Sequence, residues 1–245
     1  MKEELERLSL LVGKEDLSLL SSKHVAIVGL GGVGGYVVDA LSRAGINRFT
    51  LVDFDVFEKS NINRQLLSSL DVIGRKKTDV ASAWVKRING NADVIVRDAF
   101  LSEENIKDVI NRPDLIVDAI DSVKSKVALI KYALENDIPV VSSMGAANKL
   151  DLTRITFADI SETYGCPLAR AVRTILKNDG ICSGVPVVFS PERIKVENGM
   201  LGTLSTSVAA FGIYLSHLAI SVLLGKDGMT GGKIKTRKKD KEKNA

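Results

Sequence analysis

Cysteine is nearly absent from this 245-residue chain, which contains only Cys166 and Cys182. Two cysteines cannot form the disulfide framework of a small secreted protein, and neither belongs to a Cys-x-x-Cys pair. A zinc site built from cysteine pairs is therefore excluded, because such a site takes four ligands. Residues 2–11 show a charged helical pattern rather than a secretory signal. Both absences favour a reducing, cytoplasmic compartment.

Formal charge is missing from the stretch between residues 201 and 224. This stretch is nearly long enough to cross a bilayer, and the basic residues after it would suit a positive-inside anchor. Several serines and threonines interrupt it, however, so the sequence favours a buried core helix or a helix at a dimer interface. A membrane-associated location is the alternative to the cytoplasmic one.

The remaining composition bounds the size and charge of the fold. An apolar content of 45% is enough for one large α/β domain with a substantial core, which we assign to residues 1–225. Residues 226–245 carry eight Lys/Arg against three Asp/Glu, a net of +5, which leaves −1 for the rest of the chain. This composition predicts a disordered basic tail that either solubilises the protein or contacts a polyphosphate.

Apolar runs alternate with helical patterns along the chain. After an apolar run that begins at His24, the patterns predict strands at 48–53, 94–97, 115–120 and 138–142 and helices at 33–43, 76–88, 102–111 and 125–135. This alternation predicts a Rossmann-like, mostly parallel sheet with helices on both faces. Smaller strands at 155–158 and 185–189, a basic helix at 167–177 and a long apolar helix at 208–224 follow.

The first apolar run ends in the pattern Gly-x-Gly-x-x-Gly, which is typical of a strand, a tight turn and a helix N-terminus. Gly29 permits the turn, Gly31 lets the backbone approach a phosphate, and Gly34 lets helix and strand pack closely. The N–H groups of such a helix terminus bind anions. Asp53 ends the next strand, where an acid accepts hydrogen bonds from a ribose. The pattern predicts a nucleotide site, with a nicotinamide or flavin site or a turn without ligand as alternatives.

Further motifs follow in a specific order: Asp-x-Asp at 53–55, Asn-x-Asn-Arg-Gln at 61–65, Gly-x-x-Lys at 74–77 and Asp-Ala-x-Asp at 118–121. In order and spacing, these motifs resemble the adenylating domain of ubiquitin-activating enzymes. Bacterial relatives of the ThiF and MoeB type activate sulfur-carrier proteins for thiamine and molybdopterin synthesis. The resemblance implies ATP-dependent adenylation of a carboxylate. A nicotinamide dehydrogenase would leave residues 61–65 and Lys77 without a clear role.

The second half of the chain narrows this resemblance. Asp-Ala-Ile-Asp-Ser at 118–122, Asn-Lys-Leu-Asp-Leu-Thr at 148–153, Pro-Leu-Ala-Arg at 167–170 and Val-Phe-Ser-Pro-Glu at 188–192 look like the tRNA threonylcarbamoyladenosine dehydratase family. That family uses ATP to cyclise a threonylcarbamoyl group on the adenosine beside the anticodon. It has no zinc-binding cysteine pairs. The resemblance implies tRNA as substrate, with release of AMP and pyrophosphate. Adenylation of the C-terminus of a sulfur-carrier protein is the main alternative, and a non-catalytic tRNA-binding module is another.

The resemblance also implies a set of nucleotide-binding residues: Gly29, Gly31, Gly32, Gly34, Asp53, Asp55, Asn61, Arg64, Gln65 and Lys77. Among them Arg64 and Lys77 are expected to contact phosphates catalytically, and Arg64 suits a bidentate contact. Asp121 matches the aspartate that holds Mg²⁺ and is counted as catalytic. A monovalent cation and a cysteine-desulfurase or sulfur-acceptor partner are further possibilities for such a protein.

Each of these residues also has a structural interpretation. Asp53 and Asp55 could cap a loop, and Arg64 could pair with Asp55. Lys77 could be a solvated helix residue, with Lys76 as the phosphate ligand instead. Asp121 could be the N-cap of the helix that follows it.

An arginine near the N-terminus implies a homodimer. Arg7 occupies the place from which relatives reach into the ATP site of the partner subunit, as an arginine finger in trans. The usual aromatic residue after this arginine is missing here. A solvent-exposed helix arginine is the alternative.

The basic helix at 167–177 is the predicted tRNA contact. Arg170, Arg173 and Lys177 recur at spacings of three and four, which places them on one helix face. A solvated basic face is the alternative. Neither Cys166 nor Cys182 is required by the implied chemistry, and we expect Cys166 to have a packing role.

Overall fold

The computed structural model describes residues 3–194 and 200–231. Its centre is a seven-stranded sheet in the order β3-β2-β1-β4-β5-β7-β6. The strands are β1 (His24–Val28), β2 (Arg48–Asp53), β3 (Asp93–Asp98), β4 (Leu115–Asp118), β5 (Val140–Ser143), β6 (Thr156–Asp159) and β7 (Pro186–Phe189). All neighbouring strands are parallel except the edge strand β6, which is antiparallel to β7. The predicted fold class is confirmed.

Helices cover both faces of this sheet. They are α1 (Glu6–Val12), α2 (Lys14–Ser21), α3 (Gly32–Arg43), α4 (Lys77–Ile88), α5 (Ile106–Ile110), α6 (Val123–Glu135), α7 (Pro167–Asn178) and α8 (Ser205–Leu224). Alternate residues of β1 enter two separate cores. Val25 and Ile27 join the core under α3, α4 and α8, and Ala26 and Val28 join the core under α5, α6 and α7. This division follows from the period of two along a strand.

Each predicted element is present in the structure, and the largest difference in length is at one helix. The pattern at 102–111 predicts a helix of that length, but only Ile106–Ile110 is helical. The Asn105 side chain accepts a hydrogen bond from the Ser102 N–H at 2.9 Å and donates one to the Phe100 carbonyl at 2.9 Å. These local bonds stabilise a turn in place of the first helical turn. The strand predicted at 115–120 also ends earlier, at Asp118.

The long apolar helix α8 lies against α3. A Cβ at Gly212 would lie 2.6 Å from the Tyr36 Cβ and 2.8 Å from the Val33 carbonyl oxygen, so only glycine fits this crossing. Among the described residues, α8 is long and apolar enough to span a membrane, and half of its most apolar window is buried. As predicted, it forms part of the core, with Phe211, Leu215 and Leu218 fully buried.

The chain immediately after α8 is packed, although the sequence assigns it to the tail. The Ser221 hydroxyl donates to the Lys226 carbonyl at 2.7 Å, and Lys226 forms an ion pair with Asp16 of α2. A short helical turn at Asp227–Thr230 follows, and a ring nitrogen of His217 lies 2.7 Å from the Met229 carbonyl oxygen. The rest of the predicted tail, from residue 232 on, lies outside the described residues.

Candidate nucleotide and substrate site

The glycine-rich turn has the geometry that its motif predicts. Gly29 has a φ of +88°, and a Cβ there would lie 2.7 Å from the Ala119 carbonyl oxygen beyond β4. A Cβ at Gly34 would overlap the Gly29 carbonyl. The turn is thereby pressed between β1, α3 and the loop after β4. Gly31 is the N-cap of α3, so the first N–H groups of α3 lie at the carboxyl end of β1 without acceptors inside the helix.

The 61–65 motif lies beside this turn. The nearest atom to a Cβ on Gly31 would be the Gln65 Nε2, at 3.8 Å, and a Cβ on Gly32 would lie 3.6 Å from the Arg64 Cγ. Gln65 is buried, and its Oε1 is one of three buried side-chain polar atoms without a hydrogen-bond partner in the described part of the chain. The two ends of an amide are interchangeable by rotation, so this end can offer a donor or an acceptor. An unpartnered amide beside a glycine turn is suited to a bound ligand.

Arg64 and Asn61 stabilise the loop that carries them. The Arg64 guanidinium donates to the Ser60 carbonyl and to the Asn63 Oδ1, both at 2.9 Å. The Asn61 Oδ1 accepts the Glu58 N–H at 3.1 Å. The structural alternative in which Arg64 pairs with Asp55 is therefore wrong.

Asp53 holds two loops together. Its carboxylate accepts the Leu30 N–H at 2.6 Å and the Asp55 N–H at 2.9 Å, so it links the glycine turn to the loop after β2. Burial raises the pKa of Asp53, although these hydrogen bonds and Lys77 oppose the change. Asp53 thus lies where a ribose ligand is predicted, and it also has the loop-stabilising role that was the alternative.

Lys77, rather than Lys76, is directed towards the site. Lys77 is the first residue of α4, and its buried side chain donates to the Asp55 Oδ2 at 2.8 Å. Lys76 is exposed and pairs with Asp98 at 2.5 Å. The solvated interpretation of Lys77 is therefore wrong, and Lys77 remains the predicted triphosphate ligand.

A buried ion pair that the sequence analysis does not assign lies at the end of β4. Asp118 and Lys126 are both fully buried and 2.7 Å apart. The Lys126 ammonium also donates to the Ser143 carbonyl at 3.0 Å, and the Ser142 hydroxyl donates to Asp118 at 2.6 Å. The other Asp118 oxygen accepts the Ile120 N–H at 3.0 Å. This network joins the ends of β4 and β5 to α6 and holds the backbone just before Asp121.

Asp121 is exposed at the same edge of the sheet, two residues before α6. The helix N-cap is Ser122, so the N-cap interpretation of Asp121 is wrong. The described residues contain no cluster of three or more His, Cys, Asp or Glu suited to a metal ion. One exposed carboxylate at the sheet edge that carries the glycine turn is compatible with Mg²⁺, which takes one or two carboxylates and completes its shell with phosphates and water.

Two exposed phenylalanines border Asp53 and were not identified from the sequence. Phe54 follows β2 and Phe100 lies just beyond β3, with ring centroids 5.0 Å apart and planes at 74°. Each is 54% exposed. Phe54 could have been identified from the sequence, because it directly follows Asp53. Phe100 could not, because it follows a separate strand that the sheet brings next to β2.

The predicted basic face of α7 is only partly free. Arg170 and Lys177 are exposed, but Arg173 is half-buried and donates to the Thr163 carbonyl at 2.7 Å and to its hydroxyl. Arg173 therefore stabilises the turn before α7, which the spacing argument does not anticipate. Cys166 is buried in the core under α6 and α7, which confirms its packing role, and Cys182 is exposed.

At the N-terminus, Arg7 is exposed on α1 and lies beside two exposed leucines. Leu10 and Leu11 are 83% and 84% exposed, and Ser9 is the one buried residue of α1. A helix with so little buried surface has few contacts within its own chain.

A glycine turn at the first strand, an acid at the second and a lysine at the next helix, all at the carboxyl edge of a parallel sheet, define a nucleotide-binding α/β protein of the adenylating type. The chain belongs to the ThiF family, whose model matches residues 5–242.

Relatives with curated names agree with this assignment. The chain is 42% identical over 193 residues to the tRNA threonylcarbamoyladenosine dehydratase of Bacillus subtilis (strain 168), covering 78% of this chain and 76% of that protein. It is 44% identical over 235 residues to the same-named protein of Haemophilus influenzae, covering 86% and 90%. The crystal structure of the E. coli tRNA N6-threonylcarbamoyladenosine dehydratase TcdA in complex with ATP matches with a TM-score of 0.87 and 34% identity, covering 92% and 96%.

Proposed function

We propose that this protein is an ATP-dependent tRNA threonylcarbamoyladenosine dehydratase. One observation carries the proposal: the glycine turn, Gln65 with its unpartnered buried atom, Lys77 and Asp121 lie along one edge of one sheet. The names of the relatives supply the substrate, and the ATP complex of the E. coli enzyme supports ATP as the co-substrate.

The first chemical step activates a carboxylate. An oxygen of the threonyl carboxylate attacks the α-phosphorus of ATP, the bond to the β-phosphate oxygen breaks, and pyrophosphate leaves. Negative charge develops on the phosphoryl oxygens and on the leaving group, so catalysis rests on positioning and on positive charge. The N–H groups at the start of α3 approach the phosphates, Arg64 and Lys77 supply cationic contacts, and Asp121 would hold a magnesium ion that neutralises phosphate charge.

The second step closes a ring without a protein nucleophile. The carbamoyl oxygen of the same side chain attacks the activated carbonyl carbon, AMP leaves with the former carboxylate oxygen, and the carbamoyl nitrogen gives up its proton to solvent. The modified side chain loses the elements of one water in total. Neither cysteine takes part, which agrees with the packing role of Cys166.

The nucleoside of ATP is assigned to the β2 side of the turn. Asp53 retains free lone pairs for the ribose beside its two backbone contacts. Phe54 and Phe100 provide an exposed aromatic surface next to Asp53 on which an adenine can stack.

We also propose that the protein is cytoplasmic and that α8 is an internal helix.

We further propose an active homodimer in which Arg7 completes the site of the partner copy. The exposed Leu10 and Leu11 on the same short helix support a protein contact there. Mixing an Arg7→Ala chain with an Asp121→Ala chain tests this arrangement. Recovery of AMP formation in the mixture, with neither variant active alone, is the expected result. No recovery in a mixture shown to exchange subunits would contradict it.

The tRNA contacts are proposed at Arg170 and Lys177, with the Arg173 guanidinium engaged by Thr163. Phosphate contacts release counterions, so tRNA affinity falls steeply with salt. Arg170→Ala is expected to reduce the slope of log affinity against log salt by about one. Arg173→Ala provides a contrast, because it removes the bond to Thr163 and is expected to lower stability as well.

The decisive test follows AMP release from ATP with alternative acceptors. We expect AMP with tRNA that carries threonylcarbamoyladenosine, and none with unmodified tRNA or with a sulfur-carrier protein ending in glycine. Mass spectrometry of the digested tRNA should show the loss of one water. AMP formation with the carrier protein alone would instead favour the sulfur-carrier function. A cysteine-desulfurase or sulfur-acceptor partner and a monovalent cation are additions that the same assay can test.

A further inference from the structure

Tyr164 is an exposed aromatic residue outside the nucleotide site. It lies on the turn before α7 and is 65% exposed. Its ring packs nearly perpendicular to Phe189, the last residue of β7, with centroids 5.7 Å apart and an interplanar angle of 73°. Phe189 is itself buried, so Tyr164 is anchored on the core while most of its ring faces solvent.

The backbone around Tyr164 is tightly constrained. Gly165 has a φ of +74°, and a Cβ there would overlap the Pro191 carbonyl, so the turn and the segment after β7 are in direct contact. The Arg193 Nε donates to the Gly165 carbonyl at 2.8 Å, and the Cys166 N–H donates to the Tyr164 carbonyl at 2.9 Å. Because these contacts already order the backbone, less conformational entropy is lost when a ligand binds to Tyr164.

Basic residues lie on the segments that adjoin this aromatic residue. Arg193 is exposed and bonded to the neighbouring Gly165, and Arg170 is exposed on the first turn of α7. Arg154 is exposed as well, and it lies with Arg193 near the buried Lys149. Burial lowers the pKa of Lys149, and the two arginines act in the same direction.

Within residues 149–170 and 186–194, three arginines are exposed (Arg154, Arg170 and Arg193) against two exposed acids, Asp151 and Glu162. The Glu192 carboxylate accepts the Leu150 and Asp151 N–H groups at 3.0 and 3.1 Å, and Glu192 is largely buried. The Asp151 carboxylate is bonded to the backbone and hydroxyl of Thr153. Glu162 is the exposed acid that lies closest in sequence to Tyr164. The surface around the tyrosine is thus aromatic and predominantly basic, which is the combination that binds single-stranded nucleic acid.

The sheet places this surface beside the reaction site. Strands β4, β5 and β7 are parallel neighbours, so their carboxyl ends share one edge. Asp121 follows β4 and Tyr164 packs on the end of β7, two strand spacings away, or about 10 Å along the edge. The loop after β5, the strand between them, contacts the turn that carries Tyr164, because a Cβ on Gly145 would lie 3.4 Å from the Cys166 Sγ.

We propose that Tyr164 stacks an unpaired base of the RNA loop next to the adenosine being modified, while Arg170 and Arg193 contact the adjoining phosphates. This inference rests on the proposed function. Sequence-specific and loop-specific RNA recognition takes place largely through unpaired bases that stack on aromatic side chains. A span of about 10 Å corresponds to about three stacked nucleotides at about 3.4 Å a step, so both contacts fit within one loop.

The test uses an anticodon stem-loop RNA with 2-aminopurine substituted in turn at each unpaired position. One position adjacent to the target adenosine should change its fluorescence on binding the wild-type protein. Tyr164→Ala and Tyr164→Leu should abolish that change and weaken RNA binding about 10-fold. Tyr164→Phe should retain both, since it keeps the aromatic ring. The matched control is Ile175→Ala, an exposed apolar residue of the following helix α7, which should bind RNA as the wild type does.

ATP binding and the unfolding midpoint are measured on every variant, so that a folding defect is distinguished from lost stacking. Equal RNA binding and fluorescence in Tyr164→Ala and wild type would overturn the inference. Full retention by Tyr164→Leu would also overturn it, because an apolar surface without a ring would then suffice. Failure of the wild type to form AMP with threonylcarbamoyladenosine tRNA would overturn the proposed function instead. A wild type that is active while Tyr164→Ala is unaffected overturns the Tyr164 inference alone.

Discussion

The strands on either side of β1 both end in an aspartate, and the two aspartates are held in opposite ways. Asp53 ends β2 and accepts two backbone N–H groups, with no lysine at hydrogen-bond distance of its carboxylate among the described residues. Asp118 ends β4 and is paired with the buried ammonium of Lys126. An aspartate at equivalent strand ends therefore links the loops of the candidate nucleotide site in one case and belongs to a buried structural network in the other.

The two strand ends differ in which carboxylate they place at the open edge of the sheet. The β2 end leaves Asp53 at the rim of the site, beside exposed Phe54 and Asp55. The β4 end holds its aspartate fully buried and places the next carboxylate, Asp121, in the open. Division of the two roles between Asp118 and Asp121 lets one acid stabilise the loop and leaves the other exposed, as the proposed role of Asp121 in holding Mg²⁺ requires.

The largest expected effect comes from breaking the β4 network. Lys126→Met removes the cation and leaves Asp118 buried without its partner, which costs about 3–5 kcal/mol of unfolding free energy. Urea denaturation followed by circular dichroism measures the loss. Lys131→Met is the matched control on the same helix, because Lys131 pairs with Asp179 at the surface and its loss should change stability little. Equal stability of Lys126→Met and wild type would show that the pair is not structural.

The adjoining carboxylate should show the reverse behaviour. Asp121→Ala is expected to lower AMP formation by about 100-fold or more while the unfolding free energy stays at the wild-type value, since Asp121 is exposed and its role is electrostatic. Single-turnover kinetics across a magnesium series provides the measurement, and Asp121→Asn serves as the isosteric comparison. Wild-type AMP formation in a folded Asp121→Ala variant would remove Asp121 from the metal assignment.

The sequence predicted the β2 side of this comparison better than the β4 side. The glycine turn, Asp53 and Lys77 belong to local motifs whose spacing is set by one strand and one helix, so their relative positions follow from the pattern. Lys126 has no such motif, and a lysine in an amphipathic helix is expected at the surface. A signal was present, because helical spacing places Lys126 on the face of α6 that carries Val123, Leu129 and Ile130.

Contacts between segments that are far apart in the chain could not be predicted from the sequence pattern. The spacing of Arg170, Arg173 and Lys177 correctly places them on α7, but it carries no information about Thr163, which accepts from Arg173. Phe100 reaches Phe54 only because β3 pairs with β2, and Tyr164 reaches the site edge only because β7 pairs with β5. The long helix predicted at 102–111 is wrong because the Asn105 side chain supplies the hydrogen bonds of a turn.

A smaller effect is expected on the β2 side from a change that keeps the charge. Arg64→Lys retains a cation but loses the planar guanidinium that spans the Ser60 carbonyl and the Asn63 Oδ1. We expect about a 10-fold loss of AMP formation, which corresponds to about 1.4 kcal/mol in the barrier. Arg75→Lys, an exposed arginine outside the 61–65 loop, is the control. Activity within about twofold of the wild type would show that geometry is unimportant at Arg64.

The smallest effect, and the one that probes the comparison most directly, is the pH dependence contributed by Asp53. Burial raises the pKa of Asp53 in the folded protein above its ordinary value of 3.8, so the folded state holds this proton more tightly than the unfolded state does. The stabilising contribution of this proton is complete below the unfolded pKa and is lost as the pH rises through the folded pKa. The side chain in the Asp53→Asn variant cannot ionise, so the stability of this variant lacks the pH dependence that Asp53 contributes.

The unfolding free energy of the wild type minus that of Asp53→Asn should therefore decrease as the pH rises from about 4 towards 7. Urea titrations of both proteins over this range measure the difference. Asp121→Asn provides the control, since it makes the same substitution at an exposed carboxyl on the same edge of the sheet. A difference that increases with pH would mean that the backbone N–H groups of Leu30 and Asp55 outweigh burial. Asp53 would then be held in the folded state mainly as the hydrogen-bonded carboxylate, and the contrast with the buried ion pair at the end of β4 would be one of bonding partners alone.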